Sequence, residues 1–205
     1  MSFDVARVQA DFPILKRQVH GKRLVYLDSA SSSQKPVAVL DAMDRLYRES
    51  YANVHRGVYA ISEEATAAYE GARARLAQFL GAGSPSEIVF TRNVTEAINL
   101  VAHSWARANL AAGDVIVLTE LEHHANVVPW HILAAERGVE VRWVPLTEEF
   151  RLDTSRLGEL LDGAKLFAFS AASNVLGTIN DVPALVDAAH AAGALALVDA
   201  AQFAP

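Results

Sequence analysis

Four short stretches hold the residue types able to do chemistry, and each follows an apolar run: residues 90–100 (FTRNVTEAINL), 118–130 (LTELEHHANVVPW), 170–180 (SAASNVLGTIN) and 193–202 (GALALVDAAQ). In the last, small and branched apolar residues run unbroken into Asp199, the pattern of a buried parallel strand with one acid at its carboxyl end. Open α/β sheets keep their ligands at that edge. A carboxylate there needs a cationic or proton-sharing partner, since an unpaired buried charge neutralises itself; a protonated ring nitrogen would serve. A Walker-B-like acid or a ribose-binding acid has the same signature, but neither a Walker phosphate loop nor a GxGxxG fingerprint accompanies it.

In the first stretch a strand turns directly into a helix, presenting the free amides of Val94 and Thr95 and the Thr95 hydroxyl. That arrangement binds a phosphate. The Asn93 to Glu96 spacing is also that of a capping box, so an ordinary helix start accounts for the same residues. The second stretch places Glu122, His123 and His124 between a strand and a helix. A metal set would have to add His131, yet adjacent histidines do not readily face one ion and there is no HExxH, so no metal site is predicted. An imidazole over an aromatic cofactor, able to exchange protons, fits better; solvated loop histidines are the plain alternative. In the third stretch Asn174 can donate and accept, which suits a phenolate oxygen or a substrate carboxylate, although an asparagine in a turn also serves as an Asx turn.

The elements that must hold these loops follow from periodicity. Residues 4–12 predict an amphipathic helix ended by Pro13, and 18–28 a small hairpin around His20-Gly21 leading into a strand through Asp28. A small, polar run, 29–34, precedes a helix that Pro36 starts and Val39, Leu40, Met43, Leu46 and Tyr47 keep apolar on one face to Ser50. The loop YANVHRG separates it from a helix with Ser62 as N-cap, reaching Gly81; both are expected to be packing helices. Strands at 87–91, 114–119, 139–145, 165–170 and 194–199 then alternate with helices at 95–109, 126–137, 154–161 (capped by Asp153) and 182–192. That alternation means a mostly parallel sheet covered on both faces.

With 205 residues, 52% of them hydrophobic, the chain can bury a sizeable core. A net charge of −6 removes any general attraction to nucleic acid or an anionic membrane. The absence of cysteine excludes disulfides, thiolate metal sites and a cysteine nucleophile within these residues. The start is polar and acidic, unlike a signal peptide, and no apolar run reaches about 18 residues. The expected compartment is the cytoplasm.

Taken in order, YLDSASSSQKP, NVHRGVY, TRNVTEAINLVAHSW, LEHHANVVPW, SNVLGTIN and LVDAAQ resemble the pyridoxal-phosphate enzymes of the class V aminotransferase superfamily, and specifically the SufS-type cysteine desulfurases. The resemblance spans nearly the whole chain. It implies an α/β fold, an incomplete large domain of the fold type I PLP-dependent transferases. Residues 1–35 would be a short N-terminal segment with an active-site loop, and 36–205 part of the cofactor-binding domain. It further implies that Thr95, with the Val94 amide, holds the phosphate of pyridoxal 5'-phosphate. His123 would stack on the pyridine ring and take part in proton transfer, and Asp199 would pair with the pyridinium nitrogen. Gln202 would hydrogen-bond the phenolic oxygen, with Asn174 nearby toward the substrate carboxylate. Ala30 and its neighbours would line the substrate pocket, with His55 and Arg56 near its mouth. The implied partners are L-cysteine or L-selenocysteine, a sulfur-acceptor protein serving iron-sulfur cluster assembly, and a second copy in a homodimer.

Two departures from the family pattern stand out. Its phosphate turn commonly reads Gly-Thr-Thr where this chain has Asn93-Val94-Thr95, which loses one hydroxyl. Its Schiff-base lysine lies in a Ser-Gly-His-Lys turn past the point where these residues end, and its cysteine and carboxylate-binding arginine come later still. The lysines present are Lys16, Lys22, Lys35 and Lys165, and Lys165 begins a strand at the opposite edge from the site. These residues alone are therefore expected to be inactive, with an apolar sheet edge that favours self-association. Alternatives are another class V reaction, such as a selenocysteine lyase or an epimerase, or a non-catalytic split or degenerate module.

Overall fold

The computed structural model describes residues 3–204; Met1, Ser2 and Pro205, the outer ends of the two segments expected from the sequence, lie outside them. The chain divides into two compact units, Met1–Phe90 and Thr91–Pro205.

In the first unit, Asp4 caps α1 (Val5–Ala10) by accepting from the Arg7 amide at 3.0 Å, and Pro13 opens a 3₁₀ turn that ends the helix. Strands β1 (Gln18–Val19) and β2 (Lys22–Arg23) form the expected hairpin. His20 and Gly21 both take positive φ, 53° and 73°, as a two-residue turn of type I′ requires. The strand expected to run on to Asp28 does not form. Helix α2 (Val37–Arg45) continues into a π-helical turn, Leu46–Ser50, with Pro36 just before the first turn rather than in it. None of its residues is fully buried, and Val39, Leu40 and Met43 on its apolar face remain 40%, 43% and 52% exposed. Periodicity shows that a face calls for apolar cover, not where the cover comes from.

Ser62 is not the N-cap of α3 (Ala60–Leu80), which starts earlier, after Tyr59. Instead Ser62 is buried and its hydroxyl donates to the Asn53 carbonyl at 2.5 Å. A Cβ on Gly57 would collide with the Ser62 side chain, so only glycine lets this loop approach the helix start. The strand expected at 87–91 is also absent. Ser84 and Pro85 nucleate a 3₁₀ turn, Pro85–Glu87, with the Ser84 hydroxyl accepting from the Ser86 amide, and the residues after it pair with no strand among the described residues.

The second unit holds the sheet. Helix α4 (Val94–Val101) passes through a π-helical turn, Ala102–Ala106, into α5 (Arg107–Asn109). There follow β3 (Val115–Thr119), α6 (Val128–Arg137), β4 (Glu140–Val144), α7 (Leu157–Leu161), β5 (Ala164–Ser170), α8 (Val182–Ala191) and β6 (Leu195–Asp199). Asp153 accepts from the Ser155 amide at 3.0 Å, but α7 begins only at Leu157. Four strands rather than five make the main sheet, all parallel, in the order β4-β3-β5-β6.

Alternate residues of the central strands enter two cores. Ile116, Leu118, Leu166 and Ala168 pack with Ile98, Ala102, Trp130 and Leu133 from the α4 and α6 side. Val115, Val117, Phe167 and Phe169 pack with Leu157, Leu161, Leu185 and Ala189 of α7 and α8. Phe167 and Phe169 are wholly buried, each contributing about 1.5–3 kcal/mol. Because the strands all run parallel, the carboxyl ends of β3, β5 and β6 emerge along a single edge.

Candidate active site

Along that carboxyl edge, β6 ends in Asp199, only 7% exposed. Its position is fixed by parallel pairing with Ser170 and by the Ala171 amide, which donates to the Asp199 carbonyl at 2.8 Å. Asp199 Oδ1 accepts from the Ala201 amide at 3.0 Å. Among the described residues no lysine, arginine or histidine forms an ion pair with it. A carboxylate nearly removed from water thus has a backbone donor and no cation, which suits an incoming protonated nitrogen. Gln202 lies in the turn directly after the strand, partly buried.

Beyond β3, His123 is exposed and caps the 3₁₀ turn His124–Asn126: its Nδ1 accepts from the Ala125 amide at 3.1 Å. In the neutral ring the proton therefore sits on Nε2, which is left to face a ligand. His124 stands edge-on to it with centroids 6.3 Å apart, whereas His131 stacks on Trp143 at 5.8 Å.

Glu122, given no role by its sequence context, proves to be the anchor of the turn. Its Oε1 accepts from the Thr119 hydroxyl (2.5 Å) and the Ser170 amide (2.9 Å), and its Oε2 from the Asn126 amide group (2.7 Å) and the Ser170 hydroxyl (2.7 Å). Asn126, fully buried, accepts in turn from the Trp130 indole at 2.9 Å. Burial pushes the Glu122 pKa above the ordinary carboxyl value, opposed by hydrogen bonds from Thr119, Asn126 and Ser170. The signal available in the sequence is Thr119, Glu122 and Asn126 spaced three and four residues apart just past a strand end.

Helix α4 packs against the His124–Asn126 turn, and its start brings in Val94 and Thr95. Asn93 caps it by accepting from the Glu96 amide at 2.9 Å, and Glu96 reaches back to the Arg92 amide at 2.6 Å and pairs with the Arg92 guanidinium. The Arg92 hydrogen bonds hold the Glu96 carboxyl below its ordinary pKa. The Asn93 cap and the phosphate turn are compatible, because the cap consumes the third helical amide and leaves those of Val94 and Thr95 without an intrahelical acceptor; the reciprocal capping-box bond shifts by one residue, to the Arg92 amide. Thr95 is exposed, and its hydroxyl has no hydrogen bond among the described residues.

After β5 the chain doubles back through an Ala172–Ile179 bridge with Asn174 exposed at the tip. Ser173, not Asn174, closes the turn: the Ser173 hydroxyl accepts from the amides of Val175 (3.3 Å) and Leu176 (3.2 Å). The Asn174 side chain is thereby left for a ligand. Lys165 is exposed near the amino end of β5, the far end from this edge.

The remaining candidates belong to the first unit. Ala30 sits in a turn where the amides of Ser31 and Ser32 donate to the Asp28 carbonyl and the Tyr26 hydroxyl donates to the Ser32 carbonyl. His55 has φ 69° and bonds Glu70 Oε1 through Nε2 at 2.8 Å, while its amide donates to the Thr66 hydroxyl at 3.0 Å. Arg56 is exposed beside it.

A parallel sheet with helices on both faces, a free helix start, an imidazole and a buried acid along one edge describe an α/β domain with polar and charged groups gathered where such sheets present ligand sites. Residues 25–205 match the family model for aminotransferase class-V, and the chain belongs to that family. A cysteine desulfurase of Yersinia pestis (strain Pestoides F) is 53% identical over 203 residues, 98% of this chain and 50% of that protein. The apo structure of a cysteine desulfurase from Thermococcus onnurineus NA1 superposes with a TM-score of 0.90 at 37% identity, over 97% of this chain and 48% of that one. The Escherichia coli cysteine desulfurase CsdA gives 0.84 at 39% identity, over 100% and 50%. The chain thus spans about half the length of the relatives it matches.

Proposed function

We propose that the chain forms the cofactor-holding part of a SufS-type cysteine desulfurase that uses pyridoxal phosphate, with residues 36–205 as part of its large domain. The observation that carries this reading is Asp199, a buried carboxylate at a strand end with no cationic partner among the described residues. Asp199 would hold a proton on the pyridine nitrogen. The Val94 and Thr95 amides and the Thr95 hydroxyl would take the phosphate. His123 would lie against the ring and exchange protons through Nε2, Gln202 would donate to the phenolic oxygen, and Asn174 would meet the substrate carboxylate. Ala30, His55 and Arg56 are assigned to the substrate pocket and its mouth. When bound, pyridoxal phosphate supplies an electron sink for cleavage at the amino acid.

The substrate is L-cysteine, converted to alanine while its sulfur passes to a cysteine thiolate and on to an acceptor protein for iron-sulfur cluster assembly, in a cytoplasmic homodimer. Because these residues include no cysteine, the thiolate must come from outside them. The test is a chimaera in which this chain replaces the matching segment of the Yersinia pestis relative. It should bind pyridoxal phosphate and release sulfide from L-cysteine in the presence of a thiol. A folded, cofactor-loaded chimaera that leaves cysteine intact but turns over selenocysteine or another amino acid would overturn the reaction assigned.

A further inference from the structure

We propose that Glu122 is the positioning residue of this site, its carboxylate tying the turn that carries His123 to the end of the strand that pairs with Asp199. The functional consequence rests on the cofactor reading above; the geometric claim does not. Four donors fill the acceptor positions of the carboxylate, and they come from three separate places: Thr119 at the end of β3, Asn126 beyond His123, and the amide and hydroxyl of Ser170 at the end of β5. Ser170 is the register partner of Asp199, and the next amide, Ala171, donates to the Asp199 carbonyl. The route from imidazole to acid therefore runs through one side chain and one rung of the sheet. The Asn180 side chain adds a further bond, to the Ser170 carbonyl at 2.7 Å.

Stability alone gives little reason for such a residue. A partly buried carboxylate without a cationic partner among the described residues is costly to desolvate, and an apolar side chain of similar size fills space without that cost. What the carboxylate adds is direction. It accepts from all sides, so the three segments meet in one arrangement, and a fully satisfied buried network of this kind rigidifies its surroundings. Glutamine has nearly the same shape but presents an amide donor to the Asn126 amide group, itself a donor, so one pair must break. Replacing Asn126 with aspartate reverses that polarity and still leaves an acceptor for the Trp130 indole.

The experiment uses the 205-residue chain labelled with ¹⁵N-histidine, with long-range ¹H–¹⁵N spectra recorded where the imidazoles are neutral. Wild type should show His123 as the Nε2–H tautomer, fixed by the Ala125 bond. Glu122→Gln should give a mixture of tautomers at His123 with His103 and His131 unchanged, and the double variant Glu122→Gln/Asn126→Asp should return His123 to a single form. Leu161→Ala, a cavity in the opposite core, should lower the melting midpoint and leave the His123 signals alone. If Glu122→Gln does not fold, Ser170→Ala, which removes one of the bonds, is read in the same way. Identical His123 spectra in wild type and the Glu122→Gln or Ser170→Ala variant would overturn the proposal, as would an equal change in Leu161→Ala. Pyridoxal phosphate titration is a separate arm: affinity should fall about tenfold in Glu122→Gln and recover in the double variant. No binding to wild type would count against the cofactor reading while the tautomer result still decides the role of Glu122.

Discussion

On the proposed reading Asp199 and Thr95 would hold different parts of the same ligand, the ring nitrogen and the phosphate. Asp199→Asn keeps the shape and the bond from the Ala201 amide but loses the charge that would hold a proton on a ring nitrogen. A charge-assisted hydrogen bond is worth roughly 1.5–3 kcal/mol, so pyridoxal phosphate affinity, followed by tryptophan fluorescence, should drop at least tenfold. Thr95→Ala removes a hydroxyl that would donate to an ionised phosphate, also a bond of roughly 1.5–3 kcal/mol, and should likewise cost at least tenfold, with Thr95→Ser close to wild type and inorganic phosphate competing in both. Glu122 makes a pH prediction. Burial raises its folded pKa above 4.5, so the folded chain binds this proton more readily than the unfolded one. The stability it contributes is present below pH 4.5 and is lost as pH rises through the folded value. In urea unfolding, the stability of wild type relative to Glu122→Gln should therefore fall as pH is raised from below 4.5. Glu96, whose pKa is lowered, slopes the opposite way but cancels in the difference.

Helix starts decide two local outcomes. At α4, the Asn93 cap frees the first two amides for a ligand by securing the third, so Asn93→Ala should cost about 1 kcal/mol in urea unfolding. At α3 the constraint is steric. Gly57 lies so close to Ser62 that any side chain must displace the residue bonded to Asn53, and Gly57→Ala should destabilise the chain by roughly 1–3 kcal/mol, measured the same way. The double variant Gly57→Ala/Ser62→Gly should recover part of the loss, since it removes the side chain met by the new methyl group.

Burial is uneven over the molecule. Almost all buried apolar residues belong to Thr91–Pro205, whereas α1 and α2 bury none and Leu27 and Val58 are 90% and 97% exposed. Local opening follows burial. In hydrogen exchange the amides of β3 and β5 should be the last to exchange, with those of α1 and α2 lost early. The edge strand β6 also leaves Leu195 half exposed. Together with the half-exposed apolar face of α2, it should make the chain self-associate in size-exclusion chromatography with light scattering, increasingly with concentration. A monomer at all concentrations would show that these surfaces do not drive association.

The sequence by itself determined the parallel sheet, because unbroken apolar runs alternating with amphipathic segments leave few other packings. It also placed His123, Asn174 and Asp199 after strands that, running parallel, must share the carboxyl edge, whereas the strand expected before Val94 and Thr95 does not form. It misplaced elements where local polar contacts outweigh periodicity: Ser84 and Pro85 replace a strand with a 3₁₀ turn, and Ser62 turns inward to Asn53 instead of capping α3. Only the tertiary structure decided which carboxylate organises the site. Glu122 lies 48 residues from Ser170 in the chain, and a bond across that separation exists only once β3 and β5 are neighbours. The same is true of Asp199, whose place beside Ser170 is set by strand order. Spacing along a chain reports what a residue can do, while hydrogen bonds between distant segments, fixed by packing, decide what it is held against.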